Sequence, residues 1–521
     1  LQSVMSHNFG NTPGPVIERS TFDRSHGLKS TFDAGYLVPV FVDEALPGDT
    51  FNLSMTAFAR LATPLKPIMD NIFLDSFFFA VPYRLIWDNW KKFNGEQVNP
   101  ADSTDFLIPT VTGTNVLTGT MWDYFGLPTN VTGPLTVSAL PFRAANLCYN
   151  EWFRDQNLID SLPVPTNDGP DALTNYNLFR RGKRPDYFTS ALPWPSKGPD
   201  TILPIGTQID LSSKGVPPTF TGGGYTDVTI GTQQGSTNVV FGGVAAGSAA
   251  SVIFGTETGL KVDLMAGDMA TVRSLREAFQ LARLFERDAR SGTRYVEIVK
   301  AHFGVSMSSE RWRPEYLGGG TSMVNIHPVA QTSGSADAGG YTDTPQGNLS
   351  AFGTASMSGH GFSKTFEEHS IVLGFVSVRA DLTYQQGIDR MWLRSTRYDF
   401  YWPALSHLSE QEVWSKEIFA DGTANDDIVF GYQERGAEYR FKRSQITGLF
   451  RSNAAGTLHA WHLAQEFTAA PELDNSFIVE DPPLDRCIAV TTQPHFILDA
   501  YFRYHCARPM PLYGVPGLRR F

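Results

Sequence analysis

The sequence predicts a mainly β protein, a sandwich skeleton whose strands are separated by very long insertions, and three features carry that reading. In "TFNLSMTAFAR", Phe51, Leu53, Met55 and Ala57 alternate with Asn52, Ser54 and Thr56, the period of two that puts one face of a strand in a core. "NIFLDSFFFAVP" is a continuous apolar run bounded by polar residues, as in a strand buried on both faces. Connections longer than about 15 residues are uncommon in compact domains, yet here they make up most of the chain. No internal period of about 20 to 50 residues appears, which disfavours a solenoid or propeller.

Taken in order, Tyr36 to Val42 forms a strand, and Pro47-Gly48-Asp49 supplies the fixed φ, the permissive φ and the side-chain acceptor of a turn. The alternating strand and the apolar run follow. After Pro82, "YRLIWDNWKKFNGE" reads as a short amphipathic helix closed by Gly95. From Asn99 to Gly198 the chain is irregular and rich in Pro, Thr and Asn, with one helix predicted at "FRAANLCYNEWFRDQNL". Between Gly215 and Thr256 the only charged residue is Asp227, and the recurring glycines favour short strands and tight turns.

In "DMATVRSLREAFQLARLFERDARSG" the spacing of Val272, Leu275, Phe279 and Ala282 predicts a helix with one buried face, begun near Asp268 and closed by Gly292. A second helix, "TRYVEIVKAHFG", comes next. "TSMVNIHPVAQ" and "FEEHSIVLGFVSVRADLTY" return to strand character across a polar loop. Residues 393–521 are aromatic and proline-rich and end in "RPMPLYGVPGLRRF", which reads as an extended arm.

Composition narrows the function. At 521 residues and 41% hydrophobic, the chain can bury a large core. Its formal charge of -11 argues against coating nucleic acid through an overall field. Cys148, Cys487 and Cys506 are far apart, so reduced, partly buried thiols of a cytoplasmic product are expected. Sequons begin at Asn52, Asn130 and Asn348, but no apolar run at the start reads as a signal peptide, which argues against glycosylation. No segment reaches the run of about eighteen apolar residues that a membrane span needs. The lack of an initiator methionine suggests that a few leading residues are missing.

The chemical motifs are weak. "GGVAAG" lacks the following helix and ribose-binding acid of a dinucleotide site, and in "GHGFSKTF" Ser363 stands where a phosphate loop needs Gly before its lysine. "HAWH" (His459, His462) and "EEH" (Glu367, Glu368, His369) have no further ligands at metal spacing. Neither G-x-S-x-G nor H-E-x-x-H occurs, so no enzyme, cofactor or metal is predicted. Arg273, Arg276, Arg283, Arg287 and Arg290 form a stripe on the long helix. Such a stripe pairs with Glu277, Glu286 and Asp288, pairs with a neighbouring subunit, or contacts nucleic acid; the terminal Arg519 and Arg520 are further candidates.

Longer strings carry a resemblance. "STFDRSHGLKSTFDAGYLVPVFVDEALPGDTFNLSMTAFARLATPLKPIMDNIFLDSFFFAVPYRLIWDNWKKFNGE" (Ser20 to Glu96), "LPFRAANLCYNEWFRDQNL" (Leu140 to Leu158), "RYVEIVKAHFGVSMSSERWRPEYLGG" (Arg294 to Gly319) and "GHGFSKTFEEHSIVLGFVSVRADLTYQQGIDRMW" (Gly359 to Trp392) closely resemble the major capsid proteins of gokushoviruses, small single-stranded-DNA bacteriophages of the Microviridae. The resemblance implies an eight-stranded antiparallel jelly roll with long inter-strand insertions and a few helices, one capsid domain spanning 1–521. It further implies sixty copies in a T=1 shell around circular single-stranded DNA, assembled in the host bacterial cytoplasm. The implied partners are a small basic DNA-binding virion protein, a pilot protein and a bacterial cell-surface receptor.

In that family an insertion gathers at the threefold axes, and the weakest match to its strings lies at 198–259. Thr221, Gly223, Tyr225, Phe241, Gly247, Val252 and Phe254 are therefore expected on a threefold, host-facing protrusion. A rival from another class is a bacterial carbohydrate-binding or adhesion protein on the same sandwich, its aromatics serving as sugar platforms.

Overall fold

The structure, a computed structural model, describes residues 17–198, 229–230, 239–240, 272–306, 312–335, 344–408 and 410–513. The chain divides into two compact units, one formed by Leu1–Lys197 with Glu286–Phe521 and the other by Gly198–Phe285. In the smaller unit the described residues include one short antiparallel pair, Thr229–Ile230 with Val239–Val240.

The larger unit is built on β1 (Ser20–Asp23), β2 (His26–Phe32), β3 (Val38–Ala45), β4 (Thr50–Leu61), β5 (Ile72–Pro82), β6 (Glu315–Met323), β7 (Asn325–Ala330), β8 (Leu349–Thr365), β9 (Ser370–Ala380) and β10 (Phe496–Arg508). A six-stranded sheet runs β10–β4–β8–β7, with β1 and β2 both laid along the free side of β10. A four-stranded sheet runs β6–β5–β9–β3. Every pairing in both sheets is antiparallel.

The mainly β class is as the sequence predicts, but the implied eight strands become sheets of six and four. One reason is local. The Asp23 carboxylate accepts from the Ser25 amide at 3.0 Å and its hydroxyl at 2.6 Å, a turn that splits the edge into β1 and β2.

The two sheets face each other across one aromatic core. In β4 the predicted alternation is realised, with Phe51, Leu53, Met55, Ala57, Ala59 and Leu61 buried and Phe58, between them, 51% exposed. β10 repeats the pattern with Phe496, Leu498, Ala500, Phe502, Tyr504 and Cys506. Phe41 of β3 meets Phe502 and Tyr504 of β10 at centroid distances of 5.5 Å each, and Phe78 of β5 lies 5.6 Å from Phe362 of β8. Edge-on and tilted contacts of this kind suit the ring quadrupoles.

The continuous apolar strand β5 is buried on both faces, as its sequence predicts. Leu74, Phe78 and Ala80 enter the inter-sheet core. Phe79 and Val81 join Leu373 and Phe375 of β9 on the outer face, under α1 (Leu140–Cys148), which contributes Phe142, Ala145 and Cys148. The Pro47-Gly48-Asp49 turn forms as expected, with Gly48 at φ +88° and the Asp49 carboxylate accepting from the Leu46 amide at 2.9 Å. Cys148, Cys487 and Cys506 are buried and unpaired.

Residues 393–521 differ from an extended arm over most of their described length. They supply β10 in the middle of the larger sheet, and Val413, Ile418, Phe430 and Phe477 pack with Tyr187, Phe188 and Tyr384 in a separate apolar cluster. Strict alternation of buried and exposed residues makes β10 a strand despite the prolines on either side of it.

Replacing Phe78 by Ala leaves a cavity between the sheets, with an expected cost of about 3–5 kcal/mol in chemical denaturation. Phe58→Ser, on the outward face of β4, is expected to stay within about 0.5 kcal/mol of the parent. Equal effects at the two positions would contradict the assigned faces.

Candidate functional site

Two surfaces stand out: the long helix with its arginines, and an aromatic surface on the C-terminal region. The long helix, α2, spans Val272–Ser291, and α3 spans Tyr295–Phe303. Gly292, at φ +90°, turns the chain between them, and a Cβ there would lie 2.3 Å from the Glu297 carboxylate. That carboxylate reaches back to the Arg294 amide at 3.3 Å, while the Arg294 guanidinium bonds Glu297 at 3.1 Å and the Asn150 carbonyl at 2.8 Å. The start of α3 is thus fastened to the segment that follows α1.

The arginine stripe of α2 divides in two. Arg290 reaches the Glu410 carboxylate at 2.5 Å and Glu434 at 4.0 Å. Burial pushes the Glu410 carboxyl up, against the pull of Arg290. Arg273, Arg276, Arg283 and Arg287 are exposed, and among the described residues none has an ion-pair partner. Asp288 lies 2.6 Å from the His302 imidazole.

Of the expected buried face of α2, Leu275 and Ala282 are half-buried while Phe279 is 59% exposed, and Leu281 and Leu284 on the other side of the helix are exposed as well.

The second surface lies on residues 390–443. Trp392 is 74% exposed and Tyr398 67%, with Phe400, Tyr401 and Trp402 also exposed. Arginines hold these rings in place. Arg397 lies over the Trp402 ring at 4.7 Å, Arg394 over Tyr439 at 4.5 Å, and Arg435 donates to the Tyr398 carbonyl at 2.7 Å. Beneath them the Glu417 carboxylate, 1% exposed, accepts from Arg390 and from the Tyr187 hydroxyl, each at 2.9 Å. Burial raises the Glu417 carboxyl, with Arg390 opposing it. Exposed aromatic rings and arginines are the side chains enriched in protein interfaces.

The weak chemical motifs are absorbed into structure. Glu368 accepts from Arg84 at 2.9, 3.0 and 3.2 Å, and His369 meets the edge of Trp90 at 5.3 Å. His462 is buried; its Nε2 lies 2.6 Å from the Phe450 carbonyl and its Nδ1 accepts from the Ala464 amide at 3.2 Å. Among the described residues no group of three or more His, Cys, Asp or Glu is placed to hold a metal ion, and no helix is long and apolar enough to cross a membrane.

Thr221, Gly223, Tyr225, Phe241, Gly247, Val252 and Phe254, with Arg519 and Arg520, lie outside the described residues. Sequence reasoning found the α2 arginines but missed the aromatic surface. Its only signal was a high density of Trp, Tyr and Phe, which equally fits a core.

A sandwich with long connections and exposed rings at Trp392, Tyr398 and Trp402 presents the kind of surface that associates with other chains. The comparisons make this specific. The model of the capsid protein (F protein) family matches residues 10–518, and the chain belongs to that family. It is 49% identical to capsid protein VP1 of Bdellovibrio phage phiMH2K over 98% of this chain and 97% of that one. It is 44% identical to capsid protein VP1 of Chlamydia phage 1, covering 100% and 99% of the two chains, and 34% identical to capsid protein VP1 of Spiroplasma virus 4, covering 99% and 98%. The resemblance to gokushovirus major capsid proteins therefore holds over the whole chain, which is a major capsid protein.

The His462 bonds fix a neutral imidazole: protonation at Nδ1 would oppose the Ala464 amide. Burial lowers its pKa below 6.5. A depressed native pKa gives stability that is present above about pH 6.5 and lost as pH falls through the native value. Subunit stability should accordingly decline on acidification below pH 6.5, and His462→Gln should flatten that decline. An unchanged pH profile in the variant would remove His462 as its source.

Proposed function

We propose that sixty copies of this chain close a T=1 icosahedral shell around circular single-stranded DNA. The observation that carries the reading is full-length similarity to three viral capsid proteins, with coverage of at least 97% of each. The fold supports it physically. Two sheets locked by an aromatic core form a rigid body, and long connections spread many modest contacts over a symmetric assembly. Self-association is what the family implies, and the exposed rings at Trp392, Tyr398 and Trp402 and the exposed Phe279 of α2 are surfaces suited to it.

The net charge of -11 fits a shell that leaves charge neutralisation to a separate small basic protein. A pilot protein is a further virion partner in this reading. Assembly takes place in the host bacterial cytoplasm. Arg273, Arg276, Arg283 and Arg287, which have no ion-pair partner among the described residues, serve neighbouring subunits or ordered phosphates. The insertion at 198–259 forms the threefold protrusion, with Thr221, Gly223, Tyr225, Phe241, Gly247, Val252 and Phe254 at its packing or host-facing surface, where a bacterial receptor binds. Its place within a separate compact unit, Gly198–Phe285, supports an element that varies independently of the sandwich.

Purified protein or lysate should show uniform round particles in electron microscopy; a monodisperse monomer under assembly conditions would count heavily against the shell. Removing residues Thr221 to Gly255 should leave particle formation largely intact and reduce adsorption to host cells at least tenfold, because shortening a surface loop changes closure entropy by only about 0.6 kcal/mol per twofold change in length. Loss of particles would instead make the segment a trimer-building element. Replacing Arg276, Arg283 and Arg287 by Gln separates their two roles. Salt-dependent loss of packaged DNA marks phosphate contact, and failure to assemble with or without DNA marks a subunit interface.

A further inference from the structure

Among the described residues β1 and β2 pair with no strand but β10, which leaves the outer side of β2 an edge, and an antiparallel ladder directs successive residues alternately toward and away from the partner strand. The Arg24 amide donates inward to the Tyr504 carbonyl at 2.8 Å, whereas the Thr31 carbonyl faces outward and accepts from the Tyr124 hydroxyl at 2.8 Å. The same alternation puts the amides of Gly27, Lys29 and Thr31 on the outer edge, and all three residues are exposed. Among the described residues none of these amides has an acceptor outside the ladder.

A groove of about 860 Å³ runs beside this edge. Leu28, Tyr36 and Leu178 give it apolar walls, and Asp33, Asp123 and Asp499 give it three carboxylates against the single lysine Lys29. Lys29 stands 3.7 Å from Asp499, leaving the other two acids without a lysine or arginine in the groove. An exposed edge with free amides is a template for another strand, and flanking pockets select what binds.

We propose that the C-terminal tail of a second copy, residues 514–521 ("GVPGLRRF"), adds to the β2 edge as an extra strand and seats Arg519 and Arg520 against the groove carboxylates. The assignment rests on the reading that the chain assembles with copies of itself. The tail has two arginines and no acid, and its Leu518 and Phe521 match the apolar walls. A second copy is the occupant because a capsid protein associates with copies of itself; docking of a chain's own tail is the outcome that the crosslink below distinguishes.

The test joins the two surfaces in the full-length chain. Thr31→Cys with Arg520→Cys is expressed under assembly conditions and treated with a short bismaleimide; the native cysteines are buried and give little background. Covalent dimers and higher oligomers on a denaturing gel are expected. Lys29→Pro removes one outward amide without touching the ladder to β10, and with Asp499→Lys it should lower the crosslinked yield at least tenfold while thermal unfolding stays close to the parent. Particles that form normally with no crosslink overturn the proposal and leave the shell reading standing. So do monomers whose two thiols are joined within one chain. Crosslinked dimers without particles support tail docking and sink the shell. Should the first pair fail to fold, Lys29→Cys with Leu518→Cys makes the same measurement.

Discussion

The sandwich depends on one strand being in place. β10, from near the C-terminal end, lies between the β1–β2 edge and β4, and its register runs the length of β4 from Phe496 opposite Leu61 to Ala507 opposite Thr50. Its inward residues Phe502 and Tyr504 fill the space against Phe41 and Phe51. The Tyr504 hydroxyl donates to Asp43 at 2.7 Å, and the Arg24 guanidinium pairs with the same carboxylate. Burying each such ring contributes roughly 1.5–3 kcal/mol. Those contacts join residues more than four hundred positions apart, so their closure is late and slow relative to local helices. Until β10 docks, the apolar faces of β4 and β3 lack their cover.

The second dependency is the two-sided burial of β5 and β9. Because consecutive residues of both strands are buried, the four-stranded sheet carries the inter-sheet core on one face and the α1 layer on the other. Arg143 anchors that layer: its guanidinium makes two bonds of 2.7 Å to Asp171 and one of 2.8 Å to the Asn167 carbonyl, all shielded from water. A pair so enclosed adds little net stability over apolar residues, but losing one partner leaves a buried charge, which makes the arrangement specific. A second enclosed site, Asp75 with Arg181 at 2.7 Å and Arg379 at 2.8 Å, ties β5 and β9 to the segment that leaves the α1 layer. Residues 140–181 are thereby tied to the four-stranded sheet.

What the sequence made legible follows from periodicity. The strand at Phe51 to Ala57, the doubly buried run at Ile72–Pro82 and the turn at Gly48 could be read because each rule there is local. β10 alternates just as regularly, yet its neighbours "TTQPH" and "RPMPLYG" supplied prolines that drew the whole region toward a loop reading. The candidate surfaces were less accessible. Phe279 at helical spacing and Phe78 in a strand are equally apolar, and only the fold tells that one is exposed and the other enclosed. Burial against another copy is written in the same residues as burial against the chain itself, so sequence pattern cannot separate an interface from a core.

The charge pattern adds a further step. Where an arginine has its counter-charge in the same chain, as Arg290 has in Glu410, its position is fixed before any partner arrives, and association gains little from it. Exposed Arg276 and Arg287 keep their guanidinium groups in water, and a partner must strip that hydration and replace it with paired acceptors. Such contacts are weak singly and discriminate strongly against a misplaced neighbour. A shell closes correctly when each contact is too weak to trap a wrong arrangement yet many act together. A subunit with a tightly packed sandwich and uncommitted arginines and rings on its outside meets that requirement, because its fold is stable before its interfaces are decided.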